Sequence, residues 1–395
     1  MSQVLQGVRV LDFGRYIAGP YCAALLGDLG AEVIRIDRVR GSEDRYYMPL
    51  AGEGSDGAMY LQMNRNKRGM TLNLNSDEGR VIRDQLVATA DVVVANLPDS
   101  ALRALGLDED SLRKIRPDVI LTTVSAYGPG GPLSNEVGFD GIGQVMSGAA
   151  WCSGRPGEPW RAAAPWVDFG TASLCAFGTL AALIERRRSG RGQQVQGALL
   201  NTALTFFNPM LIEQAVTGSD REPTGNRGQF TAPTDIFPTR DGWIIAQCVG
   251  PGLFKRWTRL VGEEGWFDDS RFATDQDRGD HGELVSERMR EWCASRTSAE
   301  AVQALNEARI PASPVNSPQQ ALDDEHIRAT GFLGTVEHPG LPAAAPISRT
   351  PVKLSETPGE LTRRAPTLGE HTDAILGELG YDEAAVAGLR ERGVV

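Results

Sequence analysis

The apolar positions of the first forty residues switch texture twice. Val8-Arg9-Val10-Leu11-Asp12-Phe13 is a short, mostly apolar run that ends at Gly14 and reads as a strand. Gly/Pro punctuation follows at Ala18-Gly19-Pro20, and Tyr21-Cys22-Ala23-Ala24-Leu25-Leu26 then reads as an apolar helix stopping near Gly30. Glu32-Val33-Ile34-Arg35-Ile36 returns to strand texture and ends at Asp37, so the opening predicts a β-α-β unit. Asp91–Ala95, Val119–Val124 and Met70–Leu74 are further strand candidates, with helical stretches such as Ser76–Ala88 between them. Continuous apolar runs alternating with helices predict an α/β fold whose parallel sheet is covered on both faces. A largely buried helix is predicted over Gly170–Arg188, with Arg186-Arg187-Arg188 suited to the negative end of its dipole.

After Val216 the texture changes. Gly218–Pro233 is polar and rich in Gly and Pro, the composition of a linker. A smaller region follows, with a strand candidate around Trp243-Ile244-Ile245-Ala246 and helices through Ser286–Ala294 and Ala299–Ala308. From Pro339 the chain is Pro-rich, and it ends in helical Ala374–Leu379 and Asp382–Arg390. A length of 395 residues gives room for about two domains.

With 41% hydrophobic and 23% charged residues, long disordered tracts are excluded. The formal charge of −11 works against nucleic acid or an anionic membrane as a partner held by a general positive field. Five scattered cysteines (Cys22, Cys152, Cys175, Cys248, Cys293) and four dispersed histidines give no metal-binding spacing and fit reduced thiols, so a cytoplasmic location is expected. The opening residues lack the charged-then-apolar order of a signal peptide. The longest apolar stretch, Ala172–Ile184, is too short to span a bilayer.

The first β-α turn, Gly14-Arg15-Tyr16-Ile17-Ala18-Gly19, lacks the G-x-G-x-x-G spacing of a dinucleotide site. Neither a Walker loop nor a G-x-S-x-G elbow occurs, which weakens phosphoryl transfer and serine hydrolysis. The basic cluster Asn64-Arg65-Asn66-Lys67-Arg68 is either a solvated loop or a phosphate-binding rim shared with Arg38 and Arg40. Asp168 is the carboxylate of most interest: it stands in the apolar segment Ala164–Thr171, immediately before the long helix. It is either the helix N-cap or a nucleophile in a dry cleft, able to attack an activated acyl group.

Several ordered segments carry a resemblance. Gly7–Asp12, Ala18-Gly19-Pro20, Leu29–Ile36, Asn64–Leu74, the Asp168 segment, Asp235–Thr239, Pro314-Val315-Asn316, Leu354–Gly359 and Leu368–Thr372 together span nearly the whole chain. In this order and spacing they resemble the class III CoA-transferases, the formyl-CoA transferase and carnitine CoA-transferase group. The resemblance implies a Rossmann-like large domain built from both chain ends (1–217 and 331–395), a smaller α+β domain (218–330, with its linker), and an interlocked homodimer. It implies that Asp168 is the catalytic aspartate and that Arg38, Leu72, Asn73 and Asn96 hold coenzyme A. Ile17, Leu97, Phe139 and Asp140 match further cofactor or active-site positions, and Gly250 and Gly252 match a glycine loop that covers the acyl group in some members. Arg103 stands beside Ala104, which occupies a position usually basic.

The implied activity is transfer of CoA between an acyl-CoA and a carboxylic acid through aspartyl anhydride and aspartyl-CoA intermediates, with CoA as substrate and no tightly bound cofactor or metal. Two other readings compete. The similar α-methylacyl-CoA racemases carry Gly-His-Asp where this chain has Gly138-Phe139-Asp140, and Phe139 cannot titrate, which weakens epimerisation. A non-catalytic CoA-binding protein is the other.

Overall fold

Six strands run parallel in one sheet: β1 (Arg9–Asp12), β2 (Glu32–Asp37), β3 (Lys67–Thr71), β4 (Val92–Ala95), β5 (Ile120–Ser125) and β6 (Gln194–Ala198). The computed structural model describes residues 3–52 and 54–395; Met1, Ser2 and Glu53 lie outside it. The strand order is β3-β2-β1-β4-β5-β6, so the direction of winding reverses between β1 and β4. In such sheets ligands sit beyond the carboxyl ends of the strands at that reversal.

Successive strand residues point to opposite faces, and both faces are apolar here. Val10, Val33, Val94 and Ile120 pack with Cys22, Ala23 and Leu26 of helix α1 (Ala18–Asp28). Leu11, Ile34, Val93 and Leu121 form a second core with Ile82 and Leu86 of α2 (Asp77–Thr89). Two C-terminal helices, Thr372–Glu378 and Glu383–Glu391, add Ile375, Leu376, Val386 and Leu389 to that second core. The helices that position the site are α3 (Asp99–Ala104), α4 (Asp140–Met146), α5 (Trp166–Ser189) and α6 (Leu199–Thr217).

Three sequence expectations are corrected. The strand expected over Met70–Leu74 lies at Lys67–Thr71, where it pairs in register with Val33–Asp37. The basic cluster before it is neither a solvated loop nor a phosphate rim, because Arg65 and Lys67 are fully buried in ion pairs. Arg65 meets Asp28 at 2.6 Å, Lys67 meets Asp12 at 2.7 Å, and Arg68 meets both Glu32 and Glu378 at 2.7 Å. Finally, the Ala172–Ile184 run belongs to the 24-residue α5, which by length and composition alone is long enough to cross a membrane. In the structure its Val167, Ala172, Cys175, Ala176, Ala182 and Leu183 are core residues beside α1 and the sheet.

The chain divides into two compact units. The first holds the sheet and comprises the residues up to Ser147, Ala162–Met210 and Ala329–Val395. The second comprises Gly148–Arg161 and Leu211–Arg328. Its antiparallel sheet has the order β9-β8-β7, from β7 (Thr234–Pro238), β8 (Trp243–Gln247) and β9 (Ala312–Pro314). Phe237, Ile244, Phe254, Trp257, Met289 and Trp292 form its core with helices α7 (Pro251–Val261), α8 (Gly282–Ala294) and α9 (Ser298–Glu307).

Candidate active site

Beyond the carboxyl end of β1 the chain makes a tight turn held by buried polar groups. Asp12 Oδ1 accepts the Gly14 N–H at 2.8 Å, while the guanidinium of Arg35 donates to the Gly14 carbonyl and grips Asp44 at 2.9 and 3.2 Å. Asn96, just past β4, brackets the backbone of Arg15, the next residue of the turn. Its Oδ1 accepts the Arg15 N–H at 2.6 Å and its Nδ2 donates to the Arg15 carbonyl at 2.8 Å. Asp44 also accepts the Tyr16 N–H at 3.2 Å. Tyr16 sits at φ +58°, a conformation costly for a bulky side chain, and these partners hold it there. A Cβ on Gly19 would stand 3.1 Å from Asn96 Oδ1 and from Gly14 Cα, a tight fit that glycine relieves where α1 approaches this turn.

A second arrangement places Asp168. It is the third residue of α5, and the N-cap position belongs to Pro165, which offers no side-chain bond. Asp140, the first residue of α4, supplies the missing acceptor: its Oδ1 takes the Val167 N–H at 2.8 Å and the Asp168 N–H at 3.1 Å. Its Oδ2 accepts from Gln144 Nε2 at 2.5 Å, and Gln144 Oε1 accepts the Ala162 N–H at 2.8 Å. The capping role therefore falls to Asp140, and the N-cap reading of Asp168 is set aside. The carboxylate of Asp168, a residue 9% exposed, accepts no hydrogen bond from any described residue. Burial, and then the like charge of Asp140, push its pKa up to about 7, against the opposing pull of the α5 N-terminus.

Asp168 lines a cavity of about 340 Å³ at the sheet reversal, with Arg15, Tyr16, Ile17, Asn96, Leu97 and Phe139. Asp140 is joined to it through the Asp168 backbone. Phe139, itself 63% exposed, meets the Tyr16 ring edge-on at 5.5 Å.

Of the other expected residues in the first unit, Arg38, Leu72, Asn73 and Arg103 are not among those lining this cavity. Arg38 is exposed and pairs with Glu43 at 3.3 Å. Leu72 is a core side chain, 2% exposed. Asn73 is tied to the chain end, its N–H donating to the Val394 carbonyl at 2.8 Å and its Nδ2 to the Gly393 carbonyl at 3.3 Å. Arg103 is exposed in the last turn of α3. Gly250 and Gly252 belong to the second unit, at the N-cap and first turn of α7. There the Gly250 N–H donates to both oxygens of Asp275, at 2.9 and 3.0 Å.

The family described as CoA-transferase family III matches residues 5–372. The chain belongs to that family. This family III enzyme is 32% identical to the succinyl-CoA–L-malate CoA-transferase beta subunit of Chloroflexus aurantiacus, over 99% of this chain and 98% of that one. It is also 32% identical to the succinate–glutarate CoA-transferase of Agrobacterium fabrum, over 95% of each chain. Among solved structures, a CAIB/BAIF family protein from Brucella suis superposes with a TM-score of 0.83 at 30% identity. That match covers 96% of this chain and 100% of the other.

For the family III enzyme, sequence reasoning missed what surrounds its candidate residues. Arg15, Tyr16 and Gln144 carry no motif, and the turn after β1 drew attention only for the glycine spacing it lacks. The available signal was a Gly-bounded turn at the carboxyl end of the first strand of a parallel sheet. Asn96 was expected to hold coenzyme A, yet both polar atoms of its carboxamide are engaged with the Arg15 peptide.

Proposed function

We propose that the enzyme moves CoA from an acyl-CoA to a carboxylic acid with Asp168 as the nucleophile. Asp168 attacks the donor thioester carbonyl; the C–S bond breaks, giving an aspartyl–acyl anhydride and CoA thiolate. The thiolate attacks the aspartyl carbonyl, releasing the donor acid and leaving aspartyl-CoA. An acceptor carboxylate then attacks aspartyl-CoA, forming a second anhydride and freeing the thiolate. Thiolate attack on the acceptor's acyl carbonyl yields the new acyl-CoA and restores the Asp168 carboxylate.

One observation carries this reading: a buried carboxylate, free of hydrogen bonds, stands in a cavity while a neighbouring aspartate holds its backbone. Burial makes it a poorly solvated and therefore more reactive anion, and excludes the water that would hydrolyse an anhydride. The relatives named for succinyl-CoA, malate and glutarate support carboxylic acids as exchange partners. We assign the pantetheine end of CoA to the wall of Ile17, Leu97 and Phe139, and its phosphates to the exposed Arg38 and Arg103. Asp140 serves as the support of Asp168 rather than as a second base, since both its oxygens already accept hydrogen bonds.

A homodimer is part of the proposal. Leu174, Phe177 and Ile184 of α5 and Phe206 of α6 leave a large apolar surface exposed in the isolated chain, as interfaces do. Sedimentation at micromolar concentration should give twice the chain mass. For the chemistry, exchange of isotope between an acyl-CoA and its free acid tests Asp168 directly. Asp168→Ala and Asp168→Asn should abolish exchange while still binding CoA. Full exchange in either variant would remove the mechanism, and α-deuterium wash-in without acid exchange would favour epimerisation.

A further inference from the structure

Gln144 stands one helical turn after Asp140 on α4 and is 2% exposed, so both ends of its amide need partners. Its Oε1 accepts the Ala162 N–H at 2.8 Å. A backbone N–H only donates, so the carbonyl end of the amide must face Ala162 and the NH2 end is left for Asp140. Nε2 accordingly donates to Asp140 Oδ2 at 2.5 Å. The other Asp140 oxygen takes the Val167 and Asp168 N–H groups at 2.8 and 3.1 Å. Three donors therefore converge on Asp140, two fixed by the backbone and one by an amide that cannot turn over. The neighbouring Asp168 carboxylate meets none among the described residues.

A proton arriving at these two carboxylates competes with N–H donors at Asp140 and with none at Asp168. Burial and the Asp140 charge act on Asp168 in the same direction, both favouring its protonated form. The other charged side chains lining the cavity are Glu43, Asp99, Glu136 and Arg15. The first turns of α5 and α6, which close on α4 at Gly143, bring no titratable side chain besides Asp168. We propose that Gln144 is a positioning residue for Asp168: by fixing Asp140 as an acceptor, it leaves the proton of the pair to Asp168 and holds the first turn of α5 in place for attack. The inference rests on Asp168 as the nucleophile.

The chain of contacts runs from Ala162 through Gln144 and Asp140 to Val167 and Asp168, so one amide braces the segment entering α5 against α4. Asp140 holds the Asp168 backbone and leaves its carboxylate untouched. The brace therefore stays the same when that side chain becomes an anhydride or a thioester and loses its charge. A nucleophile that changes its covalent state twice in each half-reaction needs a support of this kind.

The test exchanges the polarity of the two side chains with little change in volume. In Asp140→Asn one NH2 group faces another if the carbonyl keeps the α5 N–H groups, and in Gln144→Glu an ionised carboxylate sets oxygen against oxygen. In the double variant Asp140→Asn/Gln144→Glu donor and acceptor match again, and Ala162 keeps its acceptor. At pH 8 kcat for CoA exchange should fall by about 10-fold or more in each single variant. In the double variant it should return to within about fivefold of the wild type. The midpoint of kcat/KM against pH should rise above that of the wild type in Gln144→Glu, which adds a charge beside the pair. It should fall below it in the double variant, where the charge has moved one turn along α4. Single variants with the wild-type kcat and midpoint overturn the assignment, and so does a double variant no better than the weaker single one. Should a single variant fail to fold, the double variant decides: recovered folding and exchange uphold the polarity argument, and an unfolded or inactive double variant overturns it. Thermal melts of the four proteins follow the same cycle without turnover. Absence of exchange by the wild type with every acid therefore removes the CoA-transfer reading, while the melts still judge the polarity of the pair.

Discussion

Lowering the pH from 8 to 6 should remove most of the activity, because the nucleophile must be ionised and its pKa stands near 7 instead of the ordinary 3.8. A carboxyl of pKa about 7 is roughly nine-tenths ionised at pH 8 and roughly one-tenth at pH 6. An ordinary aspartate would be fully ionised across that range. A carboxyl raised from 3.8 to about 7 is one whose ionised form the folded site disfavours by roughly 4 kcal/mol. Burial is the larger cause and the Asp140 charge the smaller. Asp140→Asn keeps a carbonyl oxygen able to accept the Val167 and Asp168 N–H groups while removing that charge, so it should move the midpoint downward. The assay is kcat/KM for CoA exchange from pH 5 to 8.5, which reports ionisation in the free enzyme. A rate flat down to pH 5, or an Asp140→Asn midpoint above that of the wild type, would refute the reasoning.

The same shift predicts a stability effect with a definite sign. The folded site prefers protonated Asp168, so its penalty is absent below about pH 4 and complete above about pH 7. Thermal melts should therefore show Asp168→Asn more stable than the wild type at pH 8, with the gain vanishing at pH 4. Asn96→Ala frees the Arg15 peptide and should cost about 1–3 kcal/mol in denaturant titrations. It should also raise KM for acyl-CoA more than it lowers kcat. Lys67→Met leaves Asp12 buried beside Arg35 alone and should destabilise by roughly 3–5 kcal/mol. Gly143→Ala puts a Cβ 2.7 Å from Val167 Cγ1, against the first turn of α5, and should lower kcat with CoA binding retained, measured by calorimetry.

Apolar runs made the parallel sheet legible in the sequence. Val92–Ala95 and Ile120–Ser125 lie within a residue of the runs that announced them, because strands buried on both faces have no other composition available. β6, Gln194–Ala198, escaped notice because at the sheet edge its Gln-Val-Gln-Gly-Ala lacks that signature. The basic cluster was misread because the partners of Lys67 and Arg65 lie 55 and 37 residues away, beyond any local pattern. At the site, Asp168 was visible as an acid in an apolar segment. Its freedom from capping was not, since the acceptor that relieves it, Asp140, comes from another helix 28 residues earlier. Length also misled for α5: the apolar run was bounded at Ala172 and Ile184, whereas the helix begins at Trp166 and ends at Ser189.

The central claim, that Asp168 is acylated in every cycle, has a direct isotopic test. In the proposed sequence the acceptor acid leaves one of its carboxylate oxygens on Asp168 when the new acyl-CoA departs. Turnover with an acceptor labelled with heavy oxygen, followed by mass spectrometry of the Asp168 peptide, should find that oxygen in the aspartate side chain. A peptide of unchanged mass after many turnovers would contradict the account.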